Sequence, residues 1–146
     1  MAYANIQRTI DAPVDVVFSA VADVRNFSEA VPAIEAVEFL TDTETGVGTR
    51  FRETRNMNGK SATVELEVTE YVENERVRLV SDTHGTLWDS VFTVRPLETG
   101  TELSLVMEAR AHGLFAKVMN PLTKSLVATA IEKDMDAVKT FCEQSR

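Results

Sequence analysis

The spacing of apolar residues changes twice along this 146-residue chain, and the two changes decide most of what it can fold into. Val14, Val17, Phe18, Val21 and Ala22 recur every three or four positions, which stripes one side of a helix. From residue 33 to 111 the period is two, as strands with one buried face require. After Pro121 the helical spacing returns, with Val127, Ala130, Ile131, Val138 and Phe141 on one side. A long period-two block between helical segments predicts an α+β protein whose helices pack on one side of an antiparallel sheet.

Turn chemistry divides the block. A short strand spans residues 3 to 10, and Ala12-Pro13 then starts a helix, with proline at the first helical position, where its missing N–H costs nothing. The pattern falters at Asp23, and RNFSEAVP reads as a second short helix that stops before Pro32. In VGTRFRETRNM, Val47, Thr49, Phe51, Glu53, Arg55 and Met57 share one face. Asn58-Gly59 is a hairpin signal, and the next strand alternates through Ala62, Val64, Leu66 and Val68. Further turns fall at ENE (73 to 75), His84-Gly85 and Glu98-Thr99-Gly100. Trp88, Phe92 and Val94 face one way on the strand before that last turn, as do Leu103, Leu105, Met107 and Ala109 after it. The resulting order is strand, two helices, six strands, long helix. No linker or repeat interrupts it, so residues 1 to 146 read as one domain.

Charge and composition exclude several classes of function. A net charge of -8 argues against partners such as nucleic acid or anionic lipid headgroups, which demand surplus Lys and Arg. Cys142 is the only cysteine, so the chain forms no internal disulfide and no cysteine-rich zinc site, and a reducing, cytoplasmic setting fits best. MAYANIQRTIDAP has no signal-peptide pattern and no run of 18 apolar residues occurs, so neither export nor membrane contact by a spanning segment is expected. His84 and His112 are the only histidines and lie far apart, so no metal is assigned. No nucleophile elbow, phosphate-cradling loop or dinucleotide fingerprint is present, so no cofactor is assigned either.

Several stretches together resemble one family. They are IDAPVDVVFSAVADVRNFSEAVPAI, then VGTRF, VTEY, PLETGTEL and the closing IEKDMDAVKTFCE. In this order and spacing the chain resembles the START-like, or SRPBCC, superfamily, and more narrowly its polyketide cyclase/dehydrase and lipid-transport branch. The resemblance implies a helix-grip fold: a curved antiparallel sheet of about seven strands wrapped around a long C-terminal helix, enclosing a cavity. It also implies binding or transport of a small hydrophobic ligand, such as a lipid, an isoprenoid or a polyketide-like aromatic. The same scaffold hosts cyclases, dehydratases and co-chaperone-like modules, so an enzyme and a protein-docking module stand as alternatives, and function must come from the site.

Phe51, Met57, Trp88, Phe92 and Met107 from the strands, with Phe115, Met119 and Leu122 near the last helix, are the expected apolar lining. Each is equally a plain core residue by spacing; the set suits a pocket because methionine adapts to varied apolar shapes. Glu53 and Arg55 alternate onto the same face as Phe51. Either a bulge or an open sheet mouth leaves them in water, or Arg55 anchors an acidic ligand group while Glu53 holds its guanidinium in a fork. Asp134 falls at helical spacing from the apolar stripe, as an edge residue reaching solvent or as a buried carboxylate paired with a strand arginine. If a reaction is catalysed, Glu53, His84 and Asp134 are the candidate acid or base groups.

Pro121 lies within the C-terminal helical pattern. Asn120-Pro121 reads as an N-cap followed by proline at the first helical position, so the gripping helix should run from 121 to 142. Leu114, Phe115, Val118 and Met119 before it are then expected to form a lid over the pocket mouth, with a kink at Pro121.

Overall fold

Pro13 and Asp23 set the first two helices. In the computed structural model, which describes residues 2–57, 59–83, 85–111 and 121–145 (backbone alone at 2, 3, 57, 111, 121–124 and 145), strand β1 spans Ala2–Ile10, helix α1 Val14–Ala22 and helix α2 Val24–Ala30. Pro13 is the extended N-cap residue, one position earlier than expected, and its carbonyl accepts the first helical bond from Val17 N at 3.1 Å. The missing proline N–H is harmless in either position, which is why spacing alone does not separate them. Asp23 ends α1 and caps α2, its carboxylate accepting from Arg25 N at 2.9 Å and Asn26 N at 3.4 Å. A cap of this kind stabilises a helix by about 1 kcal/mol. Val31 is extended, as the residue before Pro32 should be.

Six strands follow: β2 Ile34–Phe39, β3 Arg50–Met57, β4 Lys60–Val72, β5 Arg76–Thr83, β6 Thr86–Pro96 and β7 Thr101–Ala111, and helix α3 closes the chain at Pro121–Ser145. All neighbours pair antiparallel in the order β1-β7-β6-β5-β4-β3-β2. β1 and β2 are therefore the two edges, and α1 with α2 crosses from one edge to the other. Helix α3 lies against β1, α1 and α2 on the same side of the curved sheet. Seven curved strands around one long helix make the α+β architecture expected from the change of period.

One strand boundary differs from expectation. Val47 does not share the inward face of Phe51; it is 61% exposed, because β3 begins only at Arg50 and positive φ at Gly46 and Gly48 turns the chain before it. Alternation holds from Thr49, which is fully buried. Gly100 is required for a different reason. Its φ is +84° and a Cβ there would sit 2.4 Å from the Ile10 carbonyl oxygen. That close approach seats Thr101, whose hydroxyl donates to the Ala12 carbonyl at 2.8 Å and ties β7 to the turn after β1.

The tightest core lies at the C-terminal half of α3, where Met135, Val138 and Cys142 meet the buried Ile10, Val17 and Leu103. Edge-to-face ring pairs, Phe18 with Tyr71 and Phe27 with Phe92, join α1 and α2 to β4 and β6. The chain is helical from Pro121, the first residue described after the preceding gap, and runs to Ser145, past the expected end at 142. The expected cap Asn120, the lid residues Leu114, Phe115, Val118 and Met119, and His112 lie outside the described residues, as do His84 and the side chains of Met57, Pro121 and Leu122.

Candidate functional site

The inner face of β3 carries Phe51, Glu53 and Arg55 in strict alternation. The pairing of β3 with β4 is continuous from Arg50 opposite Glu67 to Met57 opposite Lys60, so no slip turns these side chains outward. A bulge does occur nearby, between Ile34 and Ala36, but it is on β2 and leaves β3 regular. Glu53 is therefore buried, and the Arg55 side chain is only 20% exposed. The solvent-facing alternative for this pair is thus overturned.

Asp134 reaches the same place from α3. It lies three residues after Ile131 and four before Val138, both buried, so the helix aims it at the interior. Its side chain is 14% exposed, and the edge position open to solvent is overturned too. Arg55 joins the two acids. Its Nε and Nη2 donate to Glu53 Oε1 at 3.1 and 2.9 Å, and Nη1 donates to Asp134 Oδ1 and Oδ2 at 3.2 and 2.9 Å. One guanidinium thus serves two carboxylates and bridges sheet to helix.

The electrostatics follow from that count. Burial pushes the Asp134 carboxyl up to about 6; the Arg55 charge and hydrogen bond pull the other way without overcoming it, and nearby Glu53 adds to the rise. Burial opposes the charge on Arg55, but Asp134 and Glu53 outweigh it, so its pKa is raised and it stays a cation.

The cluster stands on the wall of a hollow between sheet and helices. An inner chamber of about 120 Å³ is bounded by Val21, Val24 and Phe27 of the first helices, Ile34 and Val37 of β2, and Phe51, Phe92 and Leu105. An outer chamber of about 280 Å³ is bounded by Val64, Ser81, Trp88, Val127 and Ala130. Glu53, Arg55, Asp134, Leu66, Leu79, Ser90, Met107 and Ile131 line both, so the ion-pair cluster sits where the chambers adjoin. Most of the wall is apolar, and the cluster is the only charged part of it among the described lining residues.

Of the side chains expected to line a pocket, Phe51, Glu53, Arg55, Trp88, Phe92 and Met107 come together here. Val24 and Phe27 of α2, Leu79 of β5 and Ser90 of β6 join them without having been singled out by spacing. Ser90 was readable, since a small polar residue between Trp88 and Phe92 on one face breaks an otherwise aromatic row. Among the described residues no three His, Cys, Asp or Glu side chains converge as metal ligands would, and no helix is long and apolar enough to cross a membrane.

A curved sheet gripping a helix over an apolar hollow defines the helix-grip class of α+β proteins. Residues 1–143 match the family model described as polyketide cyclase / dehydrase and lipid transport, and the chain belongs to that family. Among solved structures it is similar to a START superfamily protein from Mycobacterium smegmatis, at 18% identity and a TM-score of 0.80, covering 98% of both chains. It is also similar to a protein of Thermus thermophilus, at 19% identity and a TM-score of 0.79, covering 97% of both. The di-domain ARO/CYC StfQ of the steffimycin biosynthetic pathway matches at 10% identity and a TM-score of 0.77, over 97% of this chain and 51% of that one. At these identities the likeness is one of fold. A search of curated proteins finds no match.

Proposed function

We propose that the protein binds or carries a small hydrophobic molecule, of lipid, isoprenoid or polyketide-like aromatic type, in the hollow between the sheet and α3. The observation that carries this reading is the paired chamber itself, apolar over most of its wall and floored by one buried ionic cluster. Well-packed cores leave few voids larger than a water molecule, so space of this size beside adaptable Met107 and Trp88 supports a guest. A cytoplasmic setting is part of the same proposal, and buried Cys142, its thiol pushed up to about 11 by burial, suits an unreactive reduced cysteine.

Native mass spectrometry of freshly purified protein, with titration of the neutral solvatochromic dye Nile red, tests the reading. A co-purified apolar molecule or saturable dye binding is expected, and Ser90→Phe, which fills the junction of the chambers, should abolish it in a folded protein. Absence of binding by any apolar probe, or equal binding by the filled variant, would contradict it.

One observation favours a second reading, a cyclase or dehydratase. Asp134, with its carboxyl at about 6 on the cavity wall, is suited to give a proton near neutral pH. In a dehydration it would protonate a leaving hydroxyl as water departs, while Glu53 takes the adjacent proton. Turnover of an aromatic polyketide substrate that is lost in both Asp134→Asn and Glu53→Gln would support this reading, and turnover that survives both would end it.

A further inference from the structure

We propose that the cavity selects ligands that bring a hydrogen-bond donor, a hydroxyl or a protonated amine, to the Glu53–Arg55–Asp134 cluster, and turns away ligands that bring a carboxylate. This rests on the reading of the hollow as a ligand site and names the chemistry that site prefers. It departs from the alternative raised by the sequence, in which Arg55 anchors an acidic ligand group.

The first observation is a count of charges. Among the described residues that line the two chambers, the charged groups are one guanidinium and two carboxylates, so the wall holds an excess of acid. Most of the guanidinium is already committed, at most one of its five N–H groups being left over on Nη2. Its Nε and Nη2 both bind Glu53 Oε1, and Nη1 is spread over the two oxygens of Asp134. A ligand carboxylate arriving here would compete with two resident carboxylates for the same cation, in a site where burial leaves little water to screen the repulsion.

The second observation is an acceptor left open. Both contacts of Arg55 with Glu53 use Oε1, and Oε2 of the same carboxylate accepts no hydrogen bond among the described residues. Glu53 lines both chambers and its side chain is 11% exposed, and Oε2 is not one of the fully buried atoms, so the idle oxygen keeps its open surface toward the hollow. A carboxylate oxygen in that position is completed by a donor, and a donor only. A hydroxyl supplies the missing bond. A protonated amine supplies it and also balances the excess charge.

The third observation is place. The cluster lies where the inner and outer chambers meet, with Leu66, Leu79 and Ile131 around it. A guest that fills both chambers therefore passes its polar group beside the cluster, where a mismatch is left unsatisfied in a nearly dry site.

The test uses four ligands of one shape: naphthalene, a naphthylmethanol, the matching naphthylmethylamine and the matching naphthoate, each displacing Nile red from the intact protein at mildly alkaline pH. The alcohol and the amine are expected to bind at least about tenfold more tightly than the naphthoate, a difference of about 1.4 kcal/mol. Glu53→Gln and Asp134→Asn, each shown to be folded by its thermal transition, should each narrow that gap. Naphthoate binding as tight as the alcohol in the wild type would overturn the inference and leave the cavity reading intact. So would a gap that persists in both variants. Failure of every ligand and of the dye to bind would overturn the cavity reading, and this inference with it.

Discussion

Two arginines sit on opposite faces of one sheet, and each bridges two carboxylates. On the inner face Arg55 joins Glu53 and Asp134; on the outer face Arg78 joins Glu70 at 3.2 Å and grips Asp89 with Nε at 2.9 Å and Nη2 at 2.5 Å. The acids respond in opposite ways. Hydrogen bonding to Arg78 holds the Asp89 carboxyl below its usual range, whereas burial raises that of Asp134 to about 6. Two things account for the difference. The outer cluster is balanced by a second cation, since Arg76 also binds Glu70 at 3.1 Å, and the Arg76 and Glu70 side chains are 45% and 40% exposed. The inner cluster has one cation for two acids and little water. Similar residues thus make a charge-balanced network on one face, open to water at Arg76 and Glu70 although the Asp89 side chain is itself only 10% exposed, and an acid-rich, costly cluster on the other, and a cost of that kind points to a functional site.

The contrast between the two clusters should be widest when each arginine is removed. Arg55→Ala leaves two carboxylates buried without their cation and should destabilise the fold by about 3–5 kcal/mol in denaturant titrations. Next in size is the pH dependence of Asp134→Asn. The folded-state pKa of about 6 lies above the reference value of 3.8, so the native wild type holds a proton that the unfolded chain has lost, and its stability falls as pH rises through that window. The asparagine variant lacks this slope, so its stability relative to wild type should improve by about 3 kcal/mol from below 3.8 to above 6. Arg78→Ala takes the gripping cation from Asp89, whose side chain is 10% exposed, but leaves Arg76 on Glu70, and should cost about 1–2 kcal/mol. The smallest effect is that of salt: at about 1 M the outer pairs should weaken by a few tenths of a kcal/mol in a double-mutant cycle, while the buried Arg55–Asp134 coupling stays nearly constant.

Much of this was legible in the sequence because it is local. Period-two spacing put Phe51, Glu53 and Arg55 on one face, and three- and four-residue spacing put Asp134 near Ile131 and Val138 on the long helix. Those inferences need only strand and helix geometry. Glu53 was legible as a partner of Arg55, but Asp134 only as one of two alternatives, because it is 79 residues away and whether it reaches solvent depends on how α3 lies against the sheet. Exposure of Val47 escaped for a related reason: a turn with two positive-φ glycines delays the strand, and alternation read through it assigns the wrong face. The contributions of Val24 and Phe27 depend on α2 crossing between the sheet edges, a matter of topology that spacing does not encode.

Everything proposed for the site depends on a buried carboxylate, short of one cation, that faces a ligand cavity. A carbon-detected NMR titration of the Asp134 carboxyl, assigned by its loss in Asp134→Asn, tests this directly. The expected midpoint is about 6 in the free protein, drawn downward when naphthylmethylamine is bound, because an added cation favours the ionised form. A midpoint at or below 3.8 that does not respond to the amine would contradict it.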